Sequence, residues 1–296
     1  MKQNNEFPEF LADAAQQTRQ SADELCCDES NEHSSCRLYH RAWTTLRLIG
    51  LISGARTDHH FFHEQFSSFA KLEPHARVLI AGTADHAMLY MLLRAFRESL
   101  AEPVVTIADR CATTLAVNSW YAEQIDARVK TYQTDLHNME WIPQSYDLVT
   151  THSIFSFFKP QEFTSVLSVL GQKVKIGGKL IFAQGISPDS PTGSRIRFSK
   201  LEADRFKQRA IECFSSCGET YGLNEALVQA LAHGFAINKN ICAIASSKDL
   251  LAPIENAGFR LDEVHEYERL PTTYSSSAPS QHERSLSLRV VATKIY

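Results

Sequence analysis

The chain has 296 residues, 44% of them hydrophobic and 22% charged, enough for one substantial core with room for an added subdomain. Its formal net charge of −4, with no clustered basic run, argues against a nucleic-acid partner, because phosphates need a basic face. No apolar run approaches the roughly 20 residues of a membrane span, and the opening "MKQNNEFPEF" has no secretory apolar core, so a cytoplasmic protein without a membrane partner is expected.

Residues 1–35 are polar and run into "CCDESNEHSSC", which predicts a flexible or weakly ordered N-terminus: a loosely attached helix, then a flexible turn. Residues 36–73 form a helical N-terminal extension of two segments, with Tyr39, Trp43, Leu46 and Ile49 on one face and Asp58 as the N-cap of the second. This extension either packs on the domain or closes over it as a lid. In "DHHFFHEQF", His59 and His63 share a helical face, but the run is not H-E-x-x-H and has no third ligand at recognisable spacing. The seven cysteines, Cys26, Cys27, Cys36, Cys111, Cys213, Cys217 and Cys242, are odd in number and form no C-x-x-C pair. They read as reduced, buried thiols, and no metal is expected.

From residue 74 to 296 the rhythm is that of crossover units on a parallel sheet. Strands are predicted over 78–81, 104–108, 129–134, 148–151 and 179–183, with helices over 85–99, 113–123 and 161–174. Gly177 and Gly178 of "KIGGK" are expected to cap the last of these helices. "GISPDSPTGS" then breaks the pattern and leads into a helical insertion at about 195–240, with helices over 200–216 and 223–235. A helix ended by Gly258 follows, and then two strands joined by the polar "PTTYSSSAPSQHER". Two strands with no helix between them make an antiparallel hairpin.

This order of elements resembles the class I S-adenosylmethionine-dependent methyltransferases. The likeness covers about Arg77 to Tyr296. It implies a Rossmann-like α/β fold: a seven-stranded sheet with a terminal antiparallel hairpin and helices on both faces. It also implies S-adenosyl-L-methionine as cofactor. The family's glycine motif falls on "VLIAGTADH", where Gly82 matches, Ala84 and His86 stand at the second and third glycines, and Ile80 takes the place of the usual acid. The implied cofactor loop is Gly82, Thr83, Ala84 and Asp85, with Asp85 either replacing the missing acid or capping the following helix.

The resemblance places Asp109, with Arg110 beside it, on the ribose hydroxyls, at the carboxyl end of a parallel strand. It places Asp135 and Leu136 on the adenine, a turn aspartate being the alternative. His152 and Ser153 border the reaction centre. There His152 is either a catalytic base or a packing group. The acceptor pocket is assigned to Tyr39, His40, Trp43, Phe155, Arg195 and Arg197, against the alternatives of core aromatics and surface arginines. No "[N/D]-P-P-[F/Y/W]" signature is present. The expected activity is methyl transfer to a small-molecule O, N or S nucleophile. Two alternatives stand beside it: intramolecular or non-methyl chemistry on the same cofactor, and a catalytically inactive scaffold. Oligomeric state leaves no signal.

Overall fold

A computed structural model describes residues 7–26, 35–143, 145–268 and 286–296, the side chains of 218 and 219 excepted. Three helices precede the first strand: α1 (Leu11–Leu25), α2 (Cys36–Leu48) and, after a 3-10 turn over Gly54–Asp58, α3 (His59–Leu72). Strand and helix then alternate through β1 (Arg77–Ala81), α4 (Ala87–Glu98), β2 (Val104–Asp109), α5 (Ala112–Gln124), β3 (Val129–Gln133), β4 (Tyr146–His152), α6 (Phe163–Lys173) and β5 (Val174–Ile186). The insertion comprises β6 (Arg195–Ile196), α7 (Lys200–Cys217), α8 (Glu225–Asn238) and β7 (Ile241–Cys242). Helix α9 (Lys248–Asn256), β8 (Phe259–Glu268) and β9 (Leu286–Lys294) complete the described chain.

The seven-stranded sheet has the order β3-β2-β1-β4-β5-β9-β8. Strands β1 to β5 are parallel, and β9 inserts antiparallel between β5 and β8. Because strand side chains alternate, Val78 and Ile80 face one core while Leu79 and Ala81 face the other. The first core is covered by α3, α4 and α5, and the second by α6 and α9. Phe62 and Phe66 of α3 are fully buried, each contributing about 1.5–3 kcal/mol from area removed from water. Strand β8 is an edge, and Arg260, Asp262, Glu263, His265 and Glu266 keep it charged and exposed, which discourages pairing with other chains. A third core, built from Trp43, Leu46, Phe206, Val228 and Phe235, joins α2 to α7 and α8 as a helical cap.

Two local expectations are corrected, a third is met in position only, and one small sheet was not foreseen. Helix α1 is packed, not loosely attached: Ala14, Ala15, Thr18 and Ala22 are buried, Thr18 meets the Thr44 hydroxyl at 3.1 Å, and Arg19 donates to Thr45 at 2.7 Å. Its buried stripe is alanine and threonine, too weakly apolar to stand out in a polar stretch. Gly177 and Gly178 do not cap a helix. Helix α6 ends at Lys173, and the glycines lie inside β5, where the register against β4 shifts and a Cβ on Gly178 would come within 3.0 Å of the Asp147 carbonyl. Asp58 stands at the N-cap position of α3 but makes no capping bond. The two-stranded β6–β7 sheet was not foreseen, being too short to show an alternation. The linker between the hairpin strands and Cys27 lie outside the described residues.

Candidate functional site

Parallel pairing in the order β3-β2-β1-β4 lines up the carboxyl ends of four strands, with the order reversing between β1 and β4. Ligands in open α/β sheets sit in the crevice at such a switch point. Asp109, the last residue of β2, is held there by two backbone donors: Thr83 N–H to Oδ2 at 2.8 Å and Cys111 N–H to Oδ1 at 2.7 Å. Each oxygen therefore keeps lone-pair capacity in a fixed orientation. Burial raises the Asp109 carboxyl above the usual range, against the pull of those two N–H groups. Arg110 is exposed beside it. Asp135 closes a turn, its Oδ1 accepting from the His137 N–H and lying 2.9 Å from the His137 ring nitrogen. Burial alone would raise Asp135, but these contacts hold it below its ordinary value. Leu136 is buried behind Gly82, and Ser153, at φ 55, carries a buried hydroxyl with no partner among the described residues.

Gly82 has φ +72, and a Cβ there would lie 2.7 Å from Ile154 Cγ2. Glycine is thus required by the tight turn and by Ile154 as well as by any ligand. Ala84 packs against the cap core. Asp85 is buried and engaged on both oxygens: one pairs with the Arg47 guanidinium from α2, and the other accepts the Ala87 N–H at 2.9 Å. Arg47 also grips Glu9. Burial would raise Asp85, yet Arg47, His86 and the Ala87 N–H together outweigh it and keep the carboxyl below its usual range. Asp85 thus ties the cap to the loop and caps α4 as well. His86, at the third glycine position, is buried, bonds the Glu9 carbonyl through Nε2 at 2.8 Å and lies 4.8 Å from the Tyr121 ring. It fills the space that a glycine would leave open.

His152 Nε2 is 3.1 Å from Asp58 Oδ2. Asp58 is fully buried, and its other oxygen accepts from Tyr267, from Ser287 at 2.9 Å and from Arg289 Nε at 2.9 Å. The N-terminal extension and the terminal hairpin thus converge on the imidazole at the end of β4. A carboxylate so satisfied fixes one tautomer, with Nε2 toward Asp58 and Nδ1 as the basic atom. Nothing in the sequence pairs residues 58 and 152.

The acceptor residues separate. Tyr39 is half-buried in a series of aromatic rings, 5.2 Å from Trp43, 5.7 Å from Phe235 and edge-on to exposed Phe157 at 6.2 Å. Burial, and then the charges of Asp85 and Asp109, push its phenol well above the usual tyrosine range. Trp43 belongs to the cap core, and Phe155 is fully buried against Phe163 and Phe182, so both are packing residues and not pocket walls. Arg195 and Arg197 are exposed on the side opposite buried Ile196, and Arg197 donates to Asn240 at 3.2 Å. Strand β6 pairs with β7, which packs against the turn over Phe155–Phe157 just after β4. His40 is buried and turns Nδ1 toward Cys26, Cys36 and Cys111 at 3.5, 3.3 and 3.3 Å. This grouping was missed because the residues are scattered; only the Cys36 to His40 spacing of one helical turn hinted at it.

No family model matches the chain, and neither does any curated protein sequence. Among solved structures, the S-adenosylmethionine-dependent methyltransferase SibL in its apo form aligns with TM-score 0.50 and 15% identity, over 99% of this chain and 72% of SibL. The fold is that of the class I methyltransferases. Two others align less well. A methyltransferase from Methanosarcina mazei has TM-score 0.48 and 10% identity, over 77% of this chain and 96% of its own. Magnesium protoporphyrin IX methyltransferase from Synechocystis PCC 6803, with bound SAH, has TM-score 0.47 and 12% identity, over 87% and 96%. Within this methyltransferase fold, Gly82, Asp109, Asp135 and His152 close the four neighbouring strands of the switch point. No helix among the described residues is long and apolar enough to cross a membrane.

Proposed function

We propose that this chain transfers a methyl group from S-adenosyl-L-methionine to the O, N or S atom of a small molecule. The observation that carries the reading is Asp109: a carboxylate at the end of β2, with each oxygen oriented by one backbone N–H and still able to accept from vicinal hydroxyls. When bound, the cofactor supplies an electrophilic methyl group on a sulfonium centre. Asp109 would hold its ribose, Asp135 and the Leu136 amide its adenine, and the turn at Gly82 would let the backbone approach. The Ser153 hydroxyl, without a partner among the described residues, offers a further polar contact. Asp85 is occupied by Arg47, so the divergent loop anchors the methionyl ammonium differently from the family's usual acid.

Tyr39, held protonated, closes the cleft from the cap side and keeps water away from the sulfonium. His152, oriented by Asp58, takes the acceptor's proton at Nδ1. Positioning dominates the rate, and proton removal adds to it. The proposed setting is the cytoplasm, where thiols are kept reduced.

Incubation with methyl-labelled cofactor and a panel of small alcohols, amines and thiols tests this proposal. Label transfer with release of S-adenosylhomocysteine is the expected result. Methylthioadenosine released without an acceptor would instead assign intramolecular chemistry, and no turnover with any acceptor class would leave a binding protein.

A further inference from the structure

Four donor atoms from three separate elements meet at one buried point: Cys26 Sγ at the C-terminal cap of α1, Cys36 Sγ and His40 Nδ1 in the first turns of α2, and Cys111 Sγ at the N-cap of α5, all within 4.8 Å of one another. The three sulfur–sulfur separations are 3.8, 3.6 and 3.4 Å, and the three sulfur–nitrogen separations are 3.5, 3.3 and 3.3 Å. A tetrahedron with Zn–S of about 2.3 Å and Zn–N of about 2.0 Å has edges of about 3.8 Å between sulfurs and about 3.5 Å from sulfur to nitrogen. All six separations sit at or slightly inside those edges. They are far longer than a disulfide bond of about 2.05 Å. Three thiols and an imidazole packed this closely around one point have little reason to converge without a cation at the centre, because thiol–thiol hydrogen bonds are weak.

From this geometry we propose a Cys3His zinc site, formed by Cys26, Cys36, His40 and Cys111, that pins the N-terminal helices to the loop after β2. Three thiols and a neutral imidazole bind one Zn(II), release three protons and leave a site of net charge −1. Cys36 and Cys111 both sit at helix N-termini, where the positive end of the helix dipole favours thiolate. The Thr113 hydroxyl lies 3.1 Å from Cys26 Sγ, a polar contact of the kind that supports metal-bound sulfur. All four positions of the tetrahedron are filled by protein, so the site is closed and structural. Its sequence spacing is nine residues from Cys26 to Cys36, three from Cys36 to His40, and a third thiolate supplied from across the fold by the β2–α5 loop.

The test is metal analysis of the full chain, purified without chelator. One zinc per chain is expected, falling by at least half in Cys36→Ser and Cys111→Ser and unchanged in Cys213→Ser, whose thiol lies outside the cluster. Since the ligand variants risk misfolding, wild-type protein stripped by a chelator is also titrated with Co(II), followed by Zn(II). Thiolate-to-cobalt charge transfer and the d–d bands of a tetrahedral site, bleached by one equivalent of zinc, support the proposal. Folded protein that contains no zinc and takes up neither ion overturns it. Iron with inorganic sulfide in place of zinc, or an intact mass showing a disulfide among the three cysteines, also overturns it.

Discussion

His86 is the residue where the divergent loop meets acid–base chemistry. Burial, with Arg47 adding to it and Asp85 opposing it, holds its imidazole below the ordinary value. The unfolded chain then binds a proton more readily than the native one. Its contribution to stability is therefore complete above about pH 6.5 and is lost as the pH falls toward and through the lower native value. Urea denaturation between pH 5 and 8 should show a steeper acid loss for wild type than for His86→Gln, which keeps a donor for the Glu9 carbonyl; equal slopes would show that His86 is no part of the acid sensitivity. Gly82 makes a second residue-scale claim. Gly82→Ala forces an L-residue into φ +72 and sets its Cβ against Ile154, so it should cost on the order of 1–3 kcal/mol. A change in denaturation midpoint worth only a few tenths of a kcal/mol would mean the turn relaxes.

At the scale of elements, the cap is a separate layer with its own core, so its stability can be changed without touching the sheet. Phe235 of α8 stacks on Tyr39 and on Phe206. Phe235→Ala should cost about 3–5 kcal/mol of cap packing. Hydrogen exchange should accelerate in α2, α7 and α8 while β1, β4 and β5 keep their protection, since local opening follows packed units. Acceleration spread evenly over both layers would show that cap and sheet open together.

The hairpin, α9 and the strand ends carrying Gly82, Asp109 and Asp135 were legible in the sequence, because strand periodicity and turn residues are local. The partners of those strand ends were not. Asp58 with His152, Arg47 with Asp85, and His40 with three cysteines are each brought together only by the packing of the N-terminal helices on the sheet, and no local pattern records such pairs. Helix α1 was misread for a related reason: alanine lets helices approach closely while contributing little to an apolar pattern.

Over the whole molecule, the N-terminal helices, the terminal hairpin and the parallel sheet converge on the cleft through two nodes, the buried Asp58 and the Arg47–Asp85 pair. A third link is mechanical: Cys111 is both a member of the sulfur cluster and a backbone donor to Asp109. If the cluster holds zinc and the cleft holds the cofactor, removing the metal should weaken S-adenosylhomocysteine binding several-fold and restoring zinc should recover it. Unchanged affinity in verified metal-free protein would show that the two sites are uncoupled. The central claim remains the ligand of Asp109, and calorimetric titration of wild type and Asp109→Ala with S-adenosylmethionine and S-adenosylhomocysteine tests it most directly. Micromolar binding of both ligands to wild type is expected, with at least a tenfold loss, about 1.4 kcal/mol or more, in a variant that still unfolds cooperatively; absence of binding to wild type, or equal affinity in the variant, would contradict a cofactor role for Asp109.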